Sequence, residues 1–92
     1  MKTIAQLRKQ IDRLDDRIVG LLARRFGLTR RIGRIKAQTG GRVRDAKRER
    51  QILARLKAIP AARACGEAIE KIYRALLVAS RHQQTRRPSR KR

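Results

Sequence analysis

The chain contains very few aromatic residues, one cysteine and two prolines, and each scarcity excludes a class of protein. Phe26 and Tyr73 are its only aromatic side chains, so it offers no row of rings on which bases of single-stranded nucleic acid would stack. The single cysteine, Cys65, excludes a disulfide framework within the chain and a cysteine zinc cluster. With two prolines and no β-branched runs, the sequence predicts an all-α protein.

Acidic residues are also few, and no apolar stretch is long enough to cross a membrane. Seven Asp and Glu residues stand against 27 Lys and Arg, which gives a formal net charge of +20 at pH 7. Such a charge attracts anions of any kind, including nucleic acid, an acidic membrane and a small polyanionic substrate. The first residues form no apolar run typical of a secretory signal, so we expect a cytoplasmic protein with no membrane partner.

A heptad pattern of apolar residues organises the first third of the chain, in steps that alternate between three and four residues. Its members are Ile4, Leu7, Ile11, Leu14, Ile18, Leu21, Leu28, Ile32 and Ile35. The pattern predicts a helix from about Thr3 to Gln38, roughly 50 Å long. A helix of that length extends beyond any core that one small chain can build, so we expect a homodimer with intertwined long helices.

Two shorter helices complete the predicted architecture of three helices per subunit. Gly40 and its neighbours end the first helix, because glycine readily adopts the left-handed conformation found at helix ends. A second helix is predicted from about Asp45 to Ala58 and is ended by Pro60. After a short connector, the third helix runs from about Cys65 to Gln84.

The predicted helices divide the chain into one domain and a tail. Residues 1–84 form a single helical domain in this interpretation, because the chain is too short for two hydrophobic cores. Residues 85–92 carry five basic side chains and no apolar anchor. We therefore expect a disordered C-terminal tail that binds nucleic acid only non-specifically.

Polar residues occupy positions where the helical patterns call for apolar ones. Arg25 interrupts the heptad pattern of the first helix, and Lys36, about three turns later, lies on the same face. The second and third helices add five such residues, namely Asp45, Arg48, Glu49, Ser80 and Gln84. A converging set of cations, carboxylates, a hydroxyl and an amide predicts a pocket for a small polar anion.

These residues occur in the order and spacing of a known family. The segments are Leu7-Arg8-x-x-Ile11-Asp12-x-Leu14-Asp15, Leu21-Leu22-x-x-Arg25, Ile32-Gly33-x-x-Lys36, Val43-Arg44-Asp45-x-x-Arg48-Glu49 and Ser80-x-x-x-Gln84. From Ile4 to Gln84 the chain resembles the all-helical chorismate mutases. The resemblance implies an intertwined dimer that converts chorismate to prephenate, on the route to phenylalanine and tyrosine. It implies a [3,3]-sigmatropic rearrangement that needs no metal and no cofactor.

The resemblance also implies a role for each residue of the pocket. Arg25, and Arg8 from the other subunit, would each pair with a substrate carboxylate. Lys36 and Gln84 would hydrogen-bond the ether oxygen of the breaking bond, and Lys36 would also contact a carboxylate. The remaining residues would bind the ring hydroxyl (Asp45 and Glu49) or the carboxylates (Arg48 and Ser80).

Other functions stay open at this point. An isochorismate-pyruvate lyase or an aminodeoxychorismate mutase of the same fold would use a similar basic pocket. With any of these functions, an enzyme of the same pathway is a candidate partner protein. A basic helical nucleic-acid-binding protein would account for the charge. Against that alternative, the sequence has no helix-turn-helix signature and places polar groups on inward-facing positions.

Several of these residues also have an ordinary structural interpretation. Asp45 is a suitable N-cap for the second helix, and capping is compatible with a role in binding. Arg25 alone would fit a position that sets the register of a dimer. We expect Tyr73 and Cys65 to pack in the core, and we expect His82 to lie on the surface.

Overall fold

The computed structural model describes residues 1–85, and the regular structure in that range is entirely helical. Its helices are α1 (Ile4–Thr39), α2 (Ala46–Lys57) and α3 (Gly66–Thr85), with a 3-10 turn at Pro60–Ala62 between α2 and α3. The all-α prediction is confirmed, and every predicted helix end lies within one residue of the observed end. None of the helices in the described range is both long and apolar enough to cross a membrane.

The tail was predicted to begin at residue 85, but Thr85 is the last residue of α3. Its side-chain hydroxyl donates to the carbonyl oxygen of His82 at 3.1 Å, one turn back along the helix. The third helix therefore continues one residue further than the apolar pattern indicates. The rest of the predicted disordered tail, residues 86–92, lies outside the described residues.

Local hydrogen bonds account for both ends of α1. The Thr3 hydroxyl accepts from the Gln6 backbone N–H at 3.1 Å, and the Gln6 side chain accepts from the Thr3 N–H at 2.8 Å. This reciprocal capping box satisfies two donors at the start of the helix. At the other end Gly40 adopts φ 77°, and its N–H donates to the carbonyl oxygen of Lys36. A residue with a side chain would be strained in that conformation.

The buried core of the single chain lies between α2 and α3. Ile52 and Leu56 of α2 pack against Leu77 of α3, and Leu53 and Tyr73 are partly buried against this cluster. The predicted packing role of Tyr73 is confirmed. The same prediction for Cys65 is wrong: this residue is exposed just before α3 begins, where the connector faces outward.

An ion-pair cluster connects the end of α2 to α3 outside this core. Glu70 of α3 is bound by Lys57 of α2 and, at 2.6 Å, by Arg74 one turn further along α3. Hydrogen bonds from Lys57, and next from Arg74, hold the pKa of Glu70 below its usual value. Because the Lys57 and Arg74 side chains are exposed, we expect salt to weaken the pairs.

The face of α1 that contacts α3 is displaced by one residue from the predicted heptad pattern. The buried residues of α1 are Thr29 and Gly33, and Arg25 and Lys36 on the same face are half-buried. A Cβ atom added at Gly33 would lie 2.7 Å from the Cα of Gln84, which is closer than real Cβ contacts. Glycine at this position therefore allows α1 to approach the end of α3.

The heptad residues themselves are exposed in the single chain. Their exposed fractions range from 45% at Leu7 to 68% at Ile4. The radius of gyration is 16.6 Å, whereas a compact chain of this length would have about 12 Å. Ile72 of α3 is also exposed. Within residues 1–85 of a single chain, no other helix covers these apolar side chains.

Candidate active site

Most of the polar residues predicted from the sequence line a cleft of about 290 Å³ between the three helices. Seven of the eight predicted residues line it: Arg25, Lys36, Asp45, Arg48, Glu49, Ser80 and Gln84. The eighth, Arg8, lies in the second turn of α1 and is not among the residues that line the cleft of its own chain. Its assignment to the cleft of a second subunit stays a prediction.

Arg25 is fixed by contacts on several sides. Its Nη1 donates to the Ser80 hydroxyl at 2.5 Å, and its guanidinium carbon lies 5.9 Å from the centre of the Tyr73 ring. The Ser80 hydroxyl in turn donates to the carbonyl oxygen of Leu76 at 2.8 Å, which leaves its lone pairs for Arg25. Arginine has five N–H donors, so Arg25 keeps donors for an anion in the cleft.

Lys36 and Gln84 meet where the end of α1 approaches the end of α3. The Lys36 Nζ donates to the Gln84 Oε1 at 3.1 Å and to the carbonyl oxygen of Val43 at 3.3 Å. Because the Gln84 oxygen accepts from Lys36, the amide nitrogen of Gln84 keeps its capacity to donate elsewhere. An ammonium and an amide donor therefore lie side by side in the cleft.

The three predicted residues on α2 have different surroundings. Asp45 is the N-cap and accepts from the Arg48 backbone N–H at 2.9 Å, so its predicted capping role is confirmed. The side chains of both residues are exposed at the edge of the cleft. Glu49 is more enclosed and accepts from Arg81 Nη1 at 2.6 Å, with Arg44 Nε 3.8 Å away.

Arg81 is a residue of the cleft that the sequence interpretation missed. It follows Ser80 directly and lies one turn after Leu77, so α3 directs it toward the same side as the core. That spacing was the available signal, although a charged residue near the end of a helix is more often exposed. With Arg81 included, four cations and two carboxylates line the cleft, and such an excess of positive charge suits a dianion.

Comparison with known proteins relates this cleft to a family of enzymes. Residues 7–85 match the family described as chorismate mutase type II. The chain belongs to this family. The resemblance noted in the sequence is therefore confirmed, and the family is one of isomerases. Because the match extends from Leu7 to Thr85, it includes α2, α3, all but the first three residues of α1, and all eight of the predicted site residues.

Two relatives in this family support the assignment. The chain is 35% identical over 83 residues to a bifunctional chorismate mutase/prephenate dehydratase of Aquifex aeolicus, which covers 86% of this chain and 23% of that protein. It is 35% identical over 57 residues to a chorismate mutase of Methanocaldococcus jannaschii, which covers 62% of this chain and 58% of that protein. The chain thus spans less than two thirds of either relative. No solved structure matches the chain significantly.

Proposed function

We propose that the cleft converts chorismate to prephenate. The observation that carries the proposal is the contact of Lys36 Nζ with Gln84 Oε1 at 3.1 Å, in a cleft that also contains Arg25. Chorismate has two carboxylates and an ether oxygen, so its recognition needs cations for the former and donors for the latter. The family of the chain and the names of its relatives support the same reaction.

The first contribution to catalysis would be conformational restraint. The flexible enolpyruvyl arm must lie over the ring in a chair before the new bond can form. Arg25 would hold one carboxylate, and Arg8 of a second subunit would hold the other. Because Ser80 and Tyr73 already fix Arg25, this side chain loses little conformational freedom when the substrate binds and reacts.

The second contribution would be electrostatic. In one cyclic step the C–O bond breaks and a C–C bond forms, and negative charge grows on the ether oxygen as the C–O bond lengthens. Lys36 and Gln84 would donate to that oxygen, and their hydrogen bonds would strengthen in the transition state. Arg48 would contact the carboxylates, and Asp45 and Glu49 would receive the ring hydroxyl. The step itself requires no nucleophile and no proton transfer.

We also propose that the active form is a homodimer and that it meets an enzyme that uses prephenate. A second copy would cover the exposed apolar residues of α1 and would bring Arg8 to the cleft. The Aquifex aeolicus relative is named as both a mutase and a prephenate dehydratase. A prephenate-consuming enzyme is therefore the partner that we propose.

The test of the reaction is the loss of the ultraviolet absorbance of chorismate with the purified chain at moderate salt, followed by identification of the product. Prephenate would support the proposal. Pyruvate released from isochorismate, with chorismate left unchanged, would favour the lyase. Turnover of neither substrate by a folded protein would contradict an enzymatic role for the cleft with these ligands.

We expect Gln84→Glu to shift activity to acid pH. The glutamine amide donates at any pH, whereas a glutamate donates only when it is protonated. The neighbouring Lys36 favours the charged carboxylate, so protonation would require a pH below the usual glutamate pKa. At pH 7 we expect a loss of kcat of at least about 100-fold, as for removal of one oxyanion donor.

The pH dependence of kcat from about pH 3 to pH 8 measures this effect, because the transition should lie below about 4.3, the usual pKa of a glutamate. Gln83→Glu is the matched control, because Gln83 is the adjacent amide and accepts from Arg30 Nη1 at 2.7 Å without lining the cleft. The control should keep the wild-type profile. A flat profile for Gln84→Glu would show that this side chain does not face the ether oxygen.

A further inference from the structure

Arg81 of α3 is paired with the carboxylate of Glu49 in the cleft. We propose that Arg81 is a specificity-determining residue, which makes the cleft reject an ammonium group at the ring position where chorismate carries its hydroxyl. The inference rests on the proposed function, because it concerns the substituent that Glu49 would receive. Arg81 thereby distinguishes chorismate from its 4-amino analogue. A cleft that lacked Arg81 but was otherwise similar would accept that analogue.

The geometry places two cations around Glu49, and Arg81 is the closer. Arg81 Nη1 donates to Glu49 Oε2 at 2.6 Å, and the two side chains are only 23% and 16% exposed. Arg44 Nε lies 3.8 Å from Glu49 Oε1, but its side chain is 66% exposed, so solvent screens it more strongly. The charge of Glu49 is therefore offset mainly by Arg81.

Without Arg81, the cleft would contain a largely enclosed carboxylate with one exposed cation beside it. Such a carboxylate attracts an ammonium ion. With Arg81 in place, the negative charge is already offset, and the guanidinium repels a second cation that approaches Glu49. A neutral hydroxyl meets no such repulsion and can still donate to a remaining lone pair of Glu49.

The other carboxylate of the cleft would not replace Glu49 in this discrimination. Among the described residues that line the cleft, this second carboxylate is Asp45, which is exposed. One of its oxygens already accepts from the Arg48 backbone N–H at 2.9 Å. Arg81 thus adds a repulsive element against the wrong substrate, and specificity commonly depends on such an element.

A purely structural role for Arg81 would have a different signature. The Arg81–Glu49 pair joins α3 to α2, and so does the Lys57–Glu70 pair, which lies outside the cleft. If Arg81 only held the helices together, its loss would lower stability and the rates with both substrates alike. A specificity role changes the ratio of the two rates.

The experiment compares kcat/KM for chorismate and for 4-amino-4-deoxychorismate in the full chain. Arg81→Met removes the charge and keeps most of the length, and we expect the preference for the hydroxyl substrate to fall by at least about tenfold. Arg81→Lys keeps the charge and should retain most of the preference. Lys57→Met, the matched control, should lower the thermal midpoint and leave the preference unchanged.

A second variant keeps the inference testable if Arg81→Met does not fold. Glu49→Gln leaves the Arg81 charge unopposed, so it should strengthen the rejection of the amino substrate relative to chorismate. An unchanged preference in Arg81→Met, or in Glu49→Gln if the former is unfolded, would overturn the role of Arg81 and leave the proposed function standing. A wild-type chain that does not convert chorismate would overturn both.

Discussion

Replacement of Lys36 by alanine should lower kcat for chorismate by at least about 10²–10³-fold. That range is typical for removal of one donor to a developing negative charge, and Lys36→Ala removes a full charge as well. The Lys36 ammonium is already held by Gln84 and by the Val43 carbonyl, so it needs little reorganisation to serve an ether oxygen. The measurement is the steady-state rate of chorismate loss.

Lys47→Ala is the matched control for this prediction. Lys47 is an exposed lysine in the first turn of α2 and does not line the cleft, so its loss changes the net charge by the same amount. It should leave kcat almost unchanged. If Lys36→Ala raised KM and kept kcat, Lys36 would bind the substrate and its transition state equally. Near-normal kcat would therefore contradict the assigned role.

Gly33→Ala should abolish most of the activity although Gly33 offers no chemical group. The added Cβ would overlap the backbone of Gln84, so α1 and α3 would have to separate there. The Lys36–Gln84 contact lies one turn further along α1 and would widen with them. A misplacement of about 1 Å can cost about 10²-fold in rate. Overpacking should also destabilise the fold by about 1–3 kcal/mol.

Gly20→Ala provides the control for Gly33→Ala. A Cβ at Gly20 would meet nothing within 4 Å in the described chain, and Gly20 also lies inside α1. Alanine there should stabilise the helix by about 0.5–1 kcal/mol and preserve the rate. Thermal unfolding followed by circular dichroism, together with kcat, measures both effects. Wild-type activity and stability in Gly33→Ala would show that the two helices do not need this close approach.

The sequence was sufficient to predict the helices because their ends are marked by residues with strong conformational preferences. Gly40 ends α1 in the left-handed conformation, Asp45 caps α2, and Pro60 lies in the turn that follows α2. Each mark depends only on nearby residues, so it can be interpreted without knowledge of the tertiary fold. The cleft residues were predictable for a different reason, since their joint spacing matches a family.

Features that depend on contacts between helices were harder to predict. Apolar periodicity locates a row of apolar residues but does not say which helix covers it. The burial of Thr29 and the close approach of Gly33 to α3 were therefore missed. Arg81 was missed because a charged residue usually lies in solvent, and only its contact with Glu49 shows that it is half-buried. Both features require the distance between two helices, which no single helical pattern contains.

We propose a chorismate mutase cleft shared by two copies of the chain, with Arg8 from one copy and Arg25 from the other. Its most direct test uses Arg8→Ala and Arg25→Ala, each of which should be nearly inactive alone. Co-expression with two different tags allows the mixed dimer to be isolated, and one of its two clefts would have both arginines. We expect that dimer to recover about half of the wild-type rate of chorismate loss. A mixed dimer as inactive as its parents would contradict the shared cleft.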